Sequence, residues 1–151
     1  MNLLTQPIIS QISQLHKVLV IDDNPIIQRA VYFALRDHGC IVLMCGNVTE
    51  ALGLMRREQP ELVVLDINFP PDGGLDGERD GFWALTWMHQ VEEVKNIPVI
   101  MISSDDPLKS RIRALAAGAA AFLQKPVNKE ELVRLVMKFT GQKPVHAAPA
   151  V

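Results

Sequence analysis

A chain of 151 residues, 48% apolar and 21% charged, is long enough to close one hydrophobic core and too apolar for a disordered segment. Its formal net charge of −2, with no basic block, gives no electrostatic case for nucleic acid or an anionic membrane as a partner. No apolar run approaches the roughly 18 residues of a membrane span, and the start lacks the basic region and cleavage pattern of a signal peptide, so a cytoplasmic location is expected.

In the head, residues 1–16, Ile8, Ile12 and Leu15 fall at i, i+4 and i+7, with Pro7 allowed near the start of such a helix. This extension reads either as a short helix packed on the domain or on a partner chain, or as a disordered leader. Lys17–Ile21 then reads as a buried strand. Asn24 suits an N-cap and Pro25 the first helical position. The helix is predicted to run to about His38, with Ile26, Ile27, Ala30, Val31, Ala34 and Leu35 on its apolar face and Gly39 as its stop.

Ile41–Met44 is a short second strand. The flanking Cys40 and Cys45 would point to opposite faces of it, which argues for buried thiols in a reducing compartment rather than a disulfide or a metal pair. A helix over Val48–Glu58 turns Ala51, Leu52 and Met55 inward. Leu62–Leu65 is the third strand, and after a long loop Phe82–Val91 is helical. Pro98–Ile102, Pro107–Ala117, Ala120–Leu123 and Lys129–Thr140 complete the alternation as strand, helix, strand and helix. The tail, residues 141–151, carries Pro144, Pro149 and several alanines and reads as linker-like.

Five strand-then-helix units with nearly continuous apolar strands indicate an α/β fold, a five-stranded parallel sheet with helices on both faces. Right-handed crossovers make a doubly wound, flavodoxin-like sheet, order 2-1-3-4-5, the natural closure. Such a sheet collects the carboxyl ends of its strands along one edge, where ligands bind. At those ends stand Asp22 and Asp23 after KVLVI, Asp66 after ELVVL, Ser103 after IPVIMI and Lys125 after AAFLQ.

Three clustered carboxylates repel one another, and a hard cation relieves the repulsion; magnesium uses one or two carboxylates and keeps several waters. Asp66 is the candidate nucleophile, since a carboxylate can attack a phosphoryl group and hold it as an acyl phosphate. Lys125 offers positive charge to the phosphoryl oxygens and Ser103 a hydrogen bond, while Ser104 is small enough to leave the approach open. Taken singly, each residue has a plainer reading: an N-cap, a polar strand end or a solvated lysine. Their coincidence at one edge favours phosphoryl chemistry.

The motifs VLVIDDNP, LVVLDINFP, PVIMISS and AAAFLQKP resemble those of the receiver domain of two-component response regulators, the family of the bacterial chemotaxis response regulator, over about residues 17–140. The resemblance implies Asp66 as phosphoacceptor, with Asp22 and Asp23 as the acidic pair that holds Mg2+. Asp23 would be a direct ligand and Asp22 would act mainly through water; the Asn68 backbone carbonyl would complete the set. It implies Ser103 as the switch hydroxyl, Lys125 before a cis Pro126, and Phe122 as an aromatic that rotates inward when Ser103 moves toward the phosphoryl group. Asn68 and Asp105 would flank the approach of hydrolytic water.

The implied partners are a histidine kinase or phosphotransfer protein and a downstream target met by the face of the fourth helix, fifth strand and fifth helix. A homodimer is compatible with the same resemblance. Neither nucleic acid nor membrane is an implied direct partner, and the implied catalysis is confined to the chain's own phosphoryl transfer and autodephosphorylation.

Two departures from the family pattern stand out. The segment PDGGLDGERDG delays the matching glycine, Gly81, by about seven residues and carries Asp72, Asp76, Glu78 and Asp80. It reads as a partner-recognition loop or as a solvated insertion; the acidic spacing of a calcium loop is absent. Both termini also extend beyond the domain without a recognisable effector.

Three other readings compete. The chain could be the receiver of a longer regulator, or a docking module that never uses its phosphorylation site. A phosphatase of the haloacid dehalogenase type is disfavoured, because Asn68 stands where that class needs a second Asp.

Overall fold

The computed structural model describes residues 15–68 and 80–141. Within them strands β1 (His16–Ile21), β2 (Cys40–Cys45), β3 (Leu62–Asp66), β4 (Val99–Ser103) and β5 (Ala121–Gln124) alternate with helices α1 (Pro25–Arg36), α2 (Val48–Glu58), α3 (Gly81–Gln90), α4 (Pro107–Ala116) and α5 (Lys129–Phe139). All strand pairs are parallel, in the order β2-β1-β3-β4-β5. The expected doubly wound topology is therefore the observed one. The strand reversal falls between β1 and β3, the crevice where such folds bind ligands.

Residue alternation along each strand builds two core layers. Leu19, Ile21, Val63, Leu65, Val99 and Met101 face one side, with Ala51 and Met55 of α2, Leu85 and Met88 of α3, and Ala114 of α4. Val18, Val20, Leu62, Val64, Ile100 and Ile102 face the other, with Val31 and Leu35 of α1 and Leu132 and Val136 of α5. Each fully buried Leu or Ile contributes about 1.5–3 kcal/mol, so both layers are needed to offset chain entropy. Cys40 lies in one layer and Cys45 in the other, as the strand's alternation requires, which rules against a bridge between them.

The helix starts follow local chemistry. Side chains of Asn24, Asn47, Asp80, Asp106 and Asn128 accept first-turn N–H groups, and Pro25 and Pro107 open their helices. Asp80, read from sequence only as part of an acidic loop, is thus the cap of α3, accepting from Trp83 N–H at 3.0 Å.

The apolar face of α1 differs from expectation. Val31, Ala34 and Leu35 are buried and Ile27 packs beside them, but Ile26 is 75% exposed and Ala30 is also outside. The helix carries more apolar residues than one stripe holds. The sheet covers only the arc of Ile27, Val31, Ala34 and Leu35, leaving Ile26, Ala30 and Phe33 one step round the helix. The helix also ends at Arg36 rather than His38, and Gly39 completes the turn at φ 78°, which glycine adopts without steric cost. Strand β1 starts at His16, one residue before the expected Lys17. The readings made for residues 1–14, for most of the loop after Asn68 and for residues 142–151 lie outside the described residues.

Candidate functional site

Sheet register assembles the site. Ile21 pairs with Leu65, so Asp22 and Asp66 follow side by side at the ends of β1 and β3. Asp66 pairs with Ile102, placing Ser103 one step beyond it, and Ser103 pairs with Gln124, placing Lys125 one step further. Ladder-like hydrogen bonds continue past the strands: Asp22 N–H donates to the Cys45 carbonyl at 3.1 Å and Lys125 N–H to the Ser103 carbonyl at 2.8 Å. The Lys125–Pro126 peptide is cis.

Side-chain oxygens of Asp22, Asp23 and Asp66 all lie within 4.8 Å of one another. Asp22 and Asp66 are buried, at 0% and 3% exposure, while Asp23 is exposed. Lys125 Nζ lies 3.0 Å from Asp22 Oδ2 and 3.2 Å from Asp66 Oδ1. Backbone donors add to this: Asn24 N–H donates to the other oxygen of Asp22, Oδ1, at 2.8 Å, and Asn68 N–H shares Asp66 Oδ1 with Lys125, at 3.2 Å. One ammonium therefore serves two buried carboxylates, leaving negative charge in excess.

The titration directions express that excess. Burial, then repulsion from Asp22, pushes the Asp66 carboxyl above its ordinary range, against the opposing pull of Asn68 N–H and Lys125. Burial alone would lower Lys125, but its pairing with Asp22 and Asp66 outweighs this and holds the ammonium above its ordinary value. A small hard cation fits this donor set. Magnesium–oxygen distances of about 2.1 Å place opposite ligands about 4.2 Å apart, close to the spread of these three oxygens. All the side-chain donors are carboxylate oxygens, and the exposed Asp23 leaves the site open on one side for water or a further ligand.

Ser103 is fully buried, and its Oγ accepts from Asp105 N–H at 3.0 Å and from the Asn68 side-chain amide at 3.3 Å. Ser104 and Asp105 are exposed at the rim. Phe122 is buried, 6% exposed, in the layer that holds Met101 and Ala114. Ala114 is the buried residue of α4.

Two further residues shape the site: Gly81, matched in sequence to the family glycine, and Gln28, which gives no spacing signal. Gly81 N–H donates to the Ile67 carbonyl at 3.0 Å, and a Cβ there would fall 2.4 Å from the Asp66 carbonyl oxygen and 2.7 Å from Ile67 Cα. Only glycine lets α3 start this close to the acceptor strand. Gln28, on α1, reaches back with its side-chain amide to the Asp22 and Cys45 carbonyls.

This edge is the acidic pocket of a receiver. The chain belongs to the response regulator receiver domain family, whose model matches residues 18–137. An uncharacterized 14.6 kDa protein of Leptolyngbya boryana is 34% identical over 122 residues, covering 81% of this chain and 88% of its own. TcrX of Mycobacterium tuberculosis, a probable transcriptional regulatory protein, is 33% identical over 128 residues; the match covers 82% of this chain but 50% of TcrX. Among solved structures, the Vibrio cholerae chemotaxis protein CheY4 superposes with a TM-score of 0.72 at 25% identity, over 83% of this chain and 98% of that one. This is a domain of two-component signalling. Among the described residues no helix is long and apolar enough to cross a membrane.

Proposed function

We propose that this receiver accepts a phosphoryl group on Asp66 from the phosphohistidine of a histidine kinase or phosphotransfer protein, with Mg2+ bound, and signals by protein contact. The observation that carries this reading is the Lys125 ammonium bridging Asp22 and Asp66 beside the exposed Asp23. In the transfer, an Asp66 oxygen attacks phosphorus, the P–N bond breaks, and its electron pair stays on the imidazole nitrogen. Asp22, Asp23, Asp66 and the Asn68 backbone carbonyl would hold the metal, which when bound neutralises charge on the phosphoryl oxygens.

Lys125 orients and neutralises a phosphoryl oxygen, and Ser103 donates its hydroxyl proton to another. Its Oγ now only accepts, from Asp105 N–H and the Asn68 amide, so the hydroxyl proton is free to turn toward the phosphoryl group. That move would be passed to Phe122, buried on β5, and to the segment leading from Ser103 into α4. Phosphorylation shifts that equilibrium only by its differential interaction with the two states. On α4, Leu108, Ile112 and Leu115 stand exposed at i, i+4 and i+7, which supports the face of α4, β5 and α5 as the contact surface for a downstream protein or a second copy. Asn68 and Asp105 flank the path of hydrolytic water and set the phosphoryl lifetime.

A second reading, the receiver of a longer regulator, is favoured by the TcrX match, in which this chain spans half the relative's length. Acetyl phosphate with Mg2+, followed by intact mass, tests the acceptor chemistry. One labile phosphoryl group is expected, absent in Asp66→Asn and in chelator. A mass unchanged in the folded, metal-binding wild type would favour a docking module that does not use its phosphorylation site.

A further inference from the structure

We infer that Gln28 is a positioning residue for the divalent cation site, acting through the peptide that joins Asp22 to Asp23. Gln28 lies in the second turn of α1, and its Nε2 donates to the Asp22 carbonyl oxygen in a close hydrogen bond and approaches the Cys45 carbonyl at 3.4 Å. The helix does not need this side chain for its own hydrogen bonding. Gln28 N–H already donates to the Asn24 carbonyl at 3.0 Å, and the Asn24 side chain caps the first turn. The same Cys45 carbonyl receives Asp22 N–H, so Gln28 closes a ring joining the end of β1, the start of α1 and the end of β2.

That ring bears on one carboxylate in particular. Asp22 and Asp66 are buried, so packing, backbone donors and Lys125 orient them. Asp23 is exposed, and its direction depends on the backbone that carries it. The peptide plane entering Asp23 contains the Asp22 carbonyl, and a planar peptide pinned at its oxygen fixes where the next Cα lies. Gly46, next to Cys45, sits under that Cα, its virtual Cβ 3.7 Å from Asp23 Cα. Floor and tether together aim Asp23 at the space shared with Asp66. Groups that orient ligands from behind typically control metal affinity by about 10- to 100-fold.

The inference rests on the metal-dependent reading above and is tested separately from phosphorylation. Mn2+ binding is measured by loss of the free-ion EPR signal in wild type, Gln28→Met and Gln28→Leu, each checked for a cooperative melt. Affinity should fall about tenfold in both variants. The Mg2+ needed for half-maximal labelling by acetyl phosphate should rise by the same factor, with the rate at saturating Mg2+ unchanged. Unaltered Mn2+ affinity in a folded variant overturns the inference. So does a labelling loss that saturating Mg2+ does not restore, which would mark a general structural role. Wild type that binds no Mn2+ would instead overturn the metal-dependent reading beneath it.

Discussion

Lys125 Nζ lies 3.2 Å from Asp66 Oδ1 while also meeting Asp22 at 3.0 Å, so a single cation spans two buried carboxylates at the ends of neighbouring strands. The arrangement holds the metal-free site together and reserves a positive charge for an incoming anion. Lys125→Met would leave the two carboxylates facing each other without a counter-charge. Removing one partner of a buried pair costs about 3–5 kcal/mol. Urea denaturation of the metal-free variant should show a loss near the lower end of that range, with part regained in Mg2+. Equal stability of variant and wild type would contradict this electrostatic account.

The raised pKa of Asp66 makes stability depend on pH with a definite sign. A group whose pKa is higher in the fold than in the unfolded chain stabilises fully below the unfolded value, here 3.8, and that contribution is lost as pH rises through the folded value. At neutral pH the metal-free protein therefore carries the cost of an ionised Asp66. Asp66→Asn removes that cost and should raise the stability of the metal-free protein at pH 7. The gap should close as pH falls below 3.8, where both states of the wild type become protonated. Denaturation at several pH values checks it; a destabilised variant, or a gap independent of pH, is the contrary result.

Gly81→Ala is expected to be severe for so small a change at the first residue of a helix. Its Cβ would meet the Asp66 carbonyl oxygen at 2.4 Å, and backbone cannot swing aside as a side-chain end can. Overpacking of this kind costs about 1–3 kcal/mol. Thermal melts should show the loss, and labelling by acetyl phosphate should slow, since the shift is imposed on the acceptor's own peptide. A variant with unchanged melting and labelling would show that α3 does not bear on Asp66.

Ser103→Ala separates chemistry from folding. Asp105 N–H would lose its acceptor, but Asp105 is exposed and water can replace it, so stability should change by no more than about 1 kcal/mol. Loss of a donor to the phosphoryl group should slow labelling about 100-fold at saturating Mg2+. A time course of intact mass measures this, and an unaltered rate would remove Ser103 from the proposed mechanism.

What was legible in the chain were the features that depend on local order. Four of the five apolar strand runs are closed by a polar residue, which places Asp22, Asp66, Ser103 and Lys125 on one edge from the sequence alone. Asn24 and Pro25 announced α1 through capping chemistry alone. Features that depend on the path of the chain through space were not legible. Ile26 and Ala30 fit a helical apolar stripe as well as Ile27 and Val31 do; only the sheet's position decides which stripe is covered. Asp80 was hidden among neighbouring acids and is distinguished only by its bond to Trp83 N–H. Gln28 has no spacing signal, because its role depends on β2 bringing the Cys45 carbonyl within reach.

The central claim is that Asp66 itself becomes phosphorylated in a metal-dependent way. The most direct test traps the product: wild type is incubated with acetyl phosphate and Mg2+, reduced with borohydride, and mapped by peptide mass spectrometry. Reduction of an acyl phosphate converts that aspartate to homoserine, so the account predicts homoserine at position 66, absent when chelator replaces Mg2+. Homoserine at Asp22 or Asp23 instead, or at position 66 with equal yield in chelator, would contradict it.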